Sequence, residues 1–157
     1  MSASLVDVGA KAPQFTLPRD GGGSVSLSDH AGKPVVLFFF PKASTPGCTT
    51  QARDFTALLP EFAAAGAVVL GVSKDSVKRQ ENFAAKHGLA TALLSDAEGD
   101  VCEHYGVWGE KQMYGKRFEG ITRTTYLIAP DGTVARVWPK VGVAGHAAEV
   151  LEAVRAL

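Results

Sequence analysis

The feature that most constrains this chain is an unbroken apolar run from Val35 to Phe40, bounded by Pro34 and Pro41. The run is short and rich in β-branched and aromatic residues, so it predicts a strand that is buried on both faces. After a loop of turn-forming residues the spacing becomes helical, with small or apolar residues three or four apart: Ala52, Phe55, Leu59, Phe62 and Gly66. The predicted strand therefore delivers Cys48 to the first turn of a helix.

The first turn of a helix is a position that can activate a thiol. It presents unpaired backbone N–H groups and a partial positive charge, and both favour the thiolate, which is the nucleophilic form. In a partly buried site this field contributes up to about 2 kcal/mol, and a nearby arginine would add to it. The alternative is a buried cysteine that only packs, since free cysteines are among the most buried residues. Position alone leaves both interpretations of Cys48 open.

The residues around Cys48 favour the first interpretation. Pro41, Thr45 and Cys48 follow the spacing Pro-x-x-x-Thr-x-x-Cys, within the longer string FFFPKASTPGCT. This string resembles the active-site loop of the peroxiredoxins, in the subfamily called bacterioferritin comigratory protein or peroxiredoxin Q. The resemblance implies that Cys48 is the reactive residue of the chain.

Strand and helix patterns alternate along the rest of the chain. The sequence predicts further strands and helices at Val68–Val72, Val77–His87, Leu93–Leu94, Asp100–Tyr105, Thr122–Ile128, Thr133–Trp138 and Gly145–Leu157. The glycines from Gly21 to Gly23 predict a hairpin turn, and the polar segment from Gln112 to Gly120 is interpreted as a loop. The order β-α-β-α-β, then a hairpin and a helix, implies a parallel core with antiparallel edge strands.

This order fits an α/β, thioredoxin-like fold of the peroxiredoxin type. We expect a central mixed β-sheet flanked by helices, with an N-terminal extension, and a single domain over residues 1–157. Basic and acidic residues number 16 each and no basic run occurs, which disfavours nucleic acid or a membrane surface as partner. The N-terminus lacks the pattern of a signal peptide, and no apolar run approaches the roughly 20 residues of a membrane span. We therefore expect a cytoplasmic protein.

Arg123 is the candidate second half of the site. It lies in a predicted strand, where alternation would put it on the same face as Ile121 and Leu127. An arginine on a mostly apolar strand face needs an anionic partner or a set of acceptors. A buried salt bridge with a purely structural role would meet this need. By resemblance, Arg123 matches the arginine of the GI-x-R-x-[ST]-[FY]-L-I segment of the subfamily, which lies against the catalytic thiolate.

The resemblance also implies the chemistry, a thiol peroxidase acting on hydrogen peroxide and organic hydroperoxides. The Cys48 thiolate attacks one peroxide oxygen, water or alcohol leaves, and Cys48 becomes a sulfenic acid. Arg123, the Thr45 hydroxyl and the N–H groups at the helix start orient the peroxide and stabilise negative charge, while Pro41 shields the sulfur. The implied peroxide-binding set is Pro41, Thr45, Gly47, Cys48 and Arg123. No metal or other cofactor is implied.

The sulfenic acid must then be reduced, and this chain has no cysteine at either position where the subfamily carries a resolving cysteine. Arg53 and Ala84 stand at those positions. The remaining thiol, Cys102, is predicted to be a small packed residue, with a resolving role as the alternative. We expect a one-cysteine mechanism in which glutathione, glutaredoxin or thioredoxin restores Cys48, in a monomer or weak dimer. Gln51 and Ala43 stand where the family often has Glu and Asp.

Other classes of function remain as alternatives. A thioredoxin-like disulfide oxidoreductase is disfavoured because Cys48 has no partner in a CxxC pair. A non-enzymatic redox sensor or holdase would use the same oxidation of Cys48 without turnover. A cysteine hydrolase would need a histidine beside Cys48, but the four histidines show no such pattern and are predicted to be solvated: His30, His87, His104 and His146.

Overall fold

The structure is a computed structural model that describes residues 4–157. Its strands are β1 (Thr16–Pro18), β2 (Ser24–Ser26), β3 (Val35–Phe39), β4 (Val68–Ser73), β5 (Ala92–Ser95), β6 (Trp108–Met113), β7 (Lys116–Ile121), β8 (Thr124–Ile128) and β9 (Val134–Trp138). Its α-helices are α1 (Pro46–Ala64), α2 (Val77–His87), α3 (Val101–His104) and α4 (His146–Arg155), and a short 3-10 turn covers Leu27–His30.

A five-stranded mixed sheet forms the centre of the molecule, in the order β5-β4-β3-β8-β9. β3 pairs in parallel with β4, and β4 in parallel with β5. On its other side β3 pairs antiparallel with β8, which pairs antiparallel with β9. The predicted parallel core with antiparallel edge strands is confirmed, and so is the hairpin turn at Gly21 to Gly23, which joins β1 to β2.

The two faces of β3 bury different parts of the chain. Val35, Leu37 and Phe39 point to a core shared with α3 and the N-terminal segment, here called the α3 face. Val36, Phe38 and Phe40 point to a core shared with α1, α2 and α4, here called the α1 face. Each residue of β3 is at most 1% exposed, as its apolar run predicts. On the α1 face Phe38 stacks on Phe55 of α1, with ring centroids 4.6 Å apart.

The prediction of a loop from Gln112 to Gly120 was wrong. The segment belongs to the antiparallel hairpin of β6 and β7, paired from Trp108 with Ile121 to Met113 with Lys116. Most of β7 is exposed, so the segment lacks the alternation of polar and apolar residues by which a half-buried strand is recognised. The turn residues Tyr114 and Gly115 have φ of 53° and 78°, as the favoured two-residue hairpin turns require.

Gly71 of β4 tests how tightly the α1 face is packed. A Cβ at Gly71 would lie 2.6 Å from Phe38 Cζ and 3.1 Å from Leu93 Cδ2. We expect Gly71→Ala to lower the free energy of unfolding by about 1–3 kcal/mol, because a rigid ring and a strand must shift to admit the methyl group. Urea unfolding measures this change.

Gly142→Ala is the matched control, because a Cβ there meets nothing within 4 Å and no positive φ strains it. We expect Gly142→Ala to leave the urea midpoint nearly unchanged. Equal midpoints for Gly71→Ala and the wild type would contradict the packing described here.

Candidate active site

Cys48 is the third residue of α1 and is 1% exposed, packed on the α1 face. Thr45 precedes the helix in an extended conformation, and Pro46 occupies the first helical position, where its fixed φ and missing N–H cost nothing. The first helical bond runs from the Thr49 N–H to the Thr45 carbonyl at 2.9 Å. The N–H groups of Gly47 and Cys48 therefore precede the helical ladder, so the predicted helix-start position of the thiol is confirmed.

The segment from Pro41 to Cys48, here called the Cys48 loop, is held by hydrogen bonds from two directions. The Thr45 hydroxyl donates to the Lys42 carbonyl oxygen at 2.7 Å and closes the loop on itself. The Ala43 N–H donates to the buried Asp75 carboxylate at 2.8 Å and ties the loop to the segment after β4. Thr45 and Cys48 thus lie on a fixed turn, with Pro41 half-buried where the loop leaves β3.

Arg123 does reach the first turn of α1, but the predicted strand alternation was wrong. Arg123 lies between β7 and β8, and Ile121 packs on the α3 face whereas Leu127 packs on the α1 face. The break at Thr122 and Arg123 resets the alternation, because β7 pairs with β6 while β8 pairs with β3. The side chains from residue 121 to residue 127 therefore do not follow one continuous alternation between the two faces of the sheet.

The Arg123 guanidinium lies against the turn that contains Cys48. A Cβ at Gly47 would be 3.1 Å from Arg123 Nη2, so this glycine permits the close approach. On its other side Arg123 Nη1 donates to Gln51 Oε1 at 2.7 Å. Gln51 is buried on α1, and its amide is neutral, so it holds the guanidinium in place without cancelling its charge. The structure brings the predicted residues Thr45, Gly47, Cys48 and Arg123 to one end of α1.

Lys111 of β6 is a residue that sequence reasoning missed, because it lies next to the segment interpreted as a loop. It is half-buried and lines a cavity of about 320 Å³ between the Cys48 loop, at Pro41, and the β6–β7 hairpin. Burial lowers the pKa of Lys111, the positive charge of Arg123 lowers it further, and Cys48 acts in the opposite direction. Lys111 is therefore within electrostatic range of both site residues.

Cys102 is fully buried and lies on the α3 face. Because Cys48 packs on the α1 face, the central sheet separates the two thiols. The Cys102 N–H donates to the buried Asp96 carboxylate at 2.8 Å. Burial raises the pKa of the Cys102 thiol well above its ordinary value, and the Asp96 charge raises it further. The burial predicted for Cys102 is confirmed.

The prediction of solvated histidines was wrong for His146. Only His104 is exposed, while His30 and His87 are half-buried. His146 is 4% exposed, because the first turn of α4 packs its ring between Phe55 and Trp138. Its Nε2 forms a hydrogen bond with Thr125 Oγ1 at 2.9 Å. Burial lowers the pKa of His146 to about 4, so the ring is neutral near pH 7.

Two absences apply to residues 4–157. In that range, no group of three or more His, Cys, Asp or Glu side chains is arranged to hold a metal ion. Over the same residues, the helices are too short or too polar to cross a membrane.

Comparisons with known proteins agree with one another. The profile of the AhpC/TSA family matches residues 8–137. A peroxiredoxin Bcp of Xanthomonas campestris is 49% identical over 156 residues, covering 99% of this chain and 98% of the relative. A putative peroxiredoxin bcp of Coxiella burnetii is 51% identical over 146 residues, covering 93% of this chain and 97% of the relative.

Solved structures show the same similarity. The bacterioferritin comigratory protein of Xanthomonas campestris, studied for its alkyl peroxide reduction activity, has a TM-score of 0.87 and 49% sequence identity, covering 98% of each chain. A peroxiredoxin Q of Xylella fastidiosa has a TM-score of 0.92 and 39% sequence identity, again covering 98% of each chain.

The buried His146 predicts a loss of stability on acidification. Its pKa in the folded protein is about 4, below the ordinary value of 6.5, so the unfolded chain takes up the proton first as the pH falls. This contribution to stability is complete above pH 6.5 and is lost between pH 6.5 and 4. At pH 5 the loss amounts to about 2 kcal/mol.

Urea unfolding at pH 7 and pH 5 measures the effect. The free energy of unfolding should fall from pH 7 to pH 5, and we expect His146→Gln to remove about 2 kcal/mol of this fall. The exposed control His104→Gln should show the same fall as the wild type. An identical pH dependence in the wild type and in His146→Gln would show that His146 titrates normally.

Proposed function

The chain belongs to the AhpC/TSA family, and we propose that Cys48 is its peroxidatic nucleophile. It has the thioredoxin-like peroxiredoxin fold and is a thiol-dependent peroxidase, with a peroxide as substrate and a thiol as reductant. The observation that supports Cys48 is the approach of the Arg123 guanidinium to Gly47 at the first turn of α1. A positive group and the N–H groups of Gly47 and Cys48, which precede the first helical bond, lie at the turn that carries the sulfur, as a nucleophilic thiolate requires.

In the oxidation step the Cys48 sulfur bonds to one oxygen of the peroxide and the O–O bond breaks. The departing oxygen takes up a proton and leaves as water or alcohol, and Cys48 is left as a sulfenic acid. Negative charge grows on the departing oxygen as the bond breaks. Arg123 and the N–H groups of Gly47 and Cys48 are fixed donors that stabilise this charge without rearranging.

Thr45 and Pro41 complete the proposed substrate site. Because the Thr45 hydroxyl donates its proton to the Lys42 carbonyl, its oxygen is left to accept a hydrogen bond from the O–H of the peroxide. Thr45 would then hold the protonated oxygen while Arg123 holds the departing one. Pro41, half-buried at the end of β3, limits the access of water to the sulfur.

We propose that an external thiol completes the cycle in a one-cysteine mechanism. The thiol attacks the sulfenic acid, water leaves, and a second thiol reduces the mixed disulfide. Cys102 is poorly placed to act instead, because it lies across the central sheet from Cys48. Glutathione, glutaredoxin or thioredoxin would serve as the reductant. A two-cysteine mechanism through Cys102, or a sensor without turnover, is the alternative.

The wider setting is proposed on similar grounds. Both cysteines are free thiols, which suits a reducing compartment such as the cytoplasm. Residues 1–157 would act as one peroxiredoxin domain. The large exposed apolar side chains include Val8 in the N-terminal segment and Tyr114 and Phe118 on the β6–β7 hairpin. A patch of two side chains is small, so a monomer or weak dimer is expected.

Mapping of the oxidised residue tests the mechanism. Reduced protein is treated with one equivalent of hydrogen peroxide in the presence of a sulfenic-acid trap, and its peptides are analysed by mass spectrometry. We expect the trap on Cys48 and a free thiol at Cys102, because the sheet separates the two side chains. Peroxide consumption should fall to background in Cys48→Ser and continue in the matched control Cys102→Ala. A Cys48–Cys102 disulfide would contradict the one-cysteine mechanism, and an unmodified Cys48 would contradict its role as nucleophile.

Arg123 is tested by the rate of the oxidation step. We expect Arg123→Gln to slow the reaction of Cys48 with hydrogen peroxide by about 10²-fold, because one fixed stabiliser of the departing oxygen is lost. A stopped-flow measurement gives the second-order rate constant. Arg117→Gln, on an exposed position of β7, is the matched control and should react at the wild-type rate. Equal rates for the two variants would remove Arg123 from the proposed site.

A further inference from the structure

Lys111 of the β6–β7 hairpin has a constrained side chain that the mechanism above does not use. Its aliphatic part crosses Gly120 of the opposite strand, where a Cβ would lie 3.1 Å from Lys111 Cδ. Its Nζ donates to the Ile121 carbonyl oxygen at 2.8 Å. Holding a lysine in one conformation costs side-chain entropy, so these contacts must offset that cost.

The carbonyl that Lys111 contacts is close to Arg123 in the chain. Ile121 ends β7, and the next two residues lead into β8. Two backbone bonds hold this connection, one from the Thr122 N–H to Val107 at 2.8 Å and one from the Val141 N–H to the Arg123 carbonyl at 2.8 Å. Lys111 adds a third bond, on the residue where the hairpin meets the connection. Three hydrogen bonds thus hold the backbone from Ile121 to Arg123.

The charge of Lys111 is also within electrostatic range of Arg123, since the positive charge of Arg123 lowers the pKa of Lys111. The guanidinium itself is bound by Gln51 and lies against Gly47. The bond from Lys111 to the Ile121 carbonyl oxygen is therefore the contact through which Lys111 acts on the position of Arg123.

The same cavity contains other charged groups, and most of them have their own partners. Lys74 pairs with Asp96 and Glu103, at 3.4 Å and 2.8 Å. Asp75 accepts the Ala43 N–H, and Glu119 accepts the Trp108 ring N–H at 3.2 Å. Lys111 is distinguished by its bond to the backbone that carries Arg123.

We propose that Lys111 is a positioning residue that holds Arg123 in place for the reaction of Cys48 with peroxide. The inference rests on the proposed function, because it assigns Lys111 a role through Arg123. Lys111 itself is not proposed to touch the substrate. The β6–β7 hairpin is then a part of the active site that acts through one side chain.

A double-mutant cycle tests this inference. We expect Lys111→Met, which keeps the aliphatic contact with Gly120 but loses the ammonium, to slow the oxidation of Cys48 by hydrogen peroxide about tenfold. Lys111→Arg should restore most of the rate, because it keeps the charge and a donor for the Ile121 carbonyl. In an Arg123→Gln background, Lys111→Met should cause no further loss. Lys116→Met, on the exposed strand β7, is the matched control and should react at the wild-type rate.

Several results would overturn the inference. A wild-type rate in Lys111→Met would show that the side chain has no role in oxidation. A failure of Lys111→Arg to recover, or a full additional loss in the Arg123→Gln background, would show that Lys111 does not act through Arg123. If the wild type itself does not react at Cys48, both the proposed function and the inference fail. Normal wild-type oxidation with an unaffected Lys111→Met overturns the inference alone.

Discussion

The structure depends on the burial of β3 on both of its faces. Alternation along β3 sends Val36 and Phe38 to the α1 face, where Phe38 stacks on Phe55 of α1, and Leu37 and Phe39 to the α3 face. Neither face can turn to water, so the register of the strand is fixed. The chain must leave the sheet at Pro41 and return over the α1 face as a helix. The first turn of that helix therefore lies at the C-terminal end of β3, in the middle of the sheet.

The same strand determines where the second half of the site lies. β3 and β8 are antiparallel, with Phe39 opposite Thr124, so the start of β8 meets the end of β3. Arg123 immediately precedes Thr124 and thus reaches the end of the sheet at which the first turn of α1 carries Cys48. Two residues far apart in sequence are brought together by one pair of strands. Only the final direction of the guanidinium is left to local contacts, which Gln51 and Gly47 provide.

The sequence predicted those parts of the fold in which burial leaves a pattern, and it failed where a strand is exposed, where a strand breaks, or where burial comes from residues distant in sequence. The apolar run of β3 marks a strand buried on both faces, and the helical spacing after Cys48 marks the buried face of α1, so both elements were predictable. The hairpin around Tyr114 is largely exposed and leaves no periodic signal. The predicted face of Arg123 is wrong because counting alternate residues along a sequence does not reveal where a strand breaks. His146 was taken for a surface residue because nothing local shows that α4 packs its first turn on Phe55.

The placement of the two thiols on opposite faces of the sheet has a consequence for timing. In a chain with a nearby second cysteine, that thiol reacts with the sulfenic acid to form a disulfide, at a rate fixed by the geometry of the chain. Here the packed sheet separates Cys102 from Cys48, so in the proposed one-cysteine cycle no internal reaction sets the lifetime of the oxidised form. Under that proposal the lifetime follows the supply of reduced thiol around the protein. The fraction of oxidised chains becomes a record of how that supply compares with the arrival of peroxide.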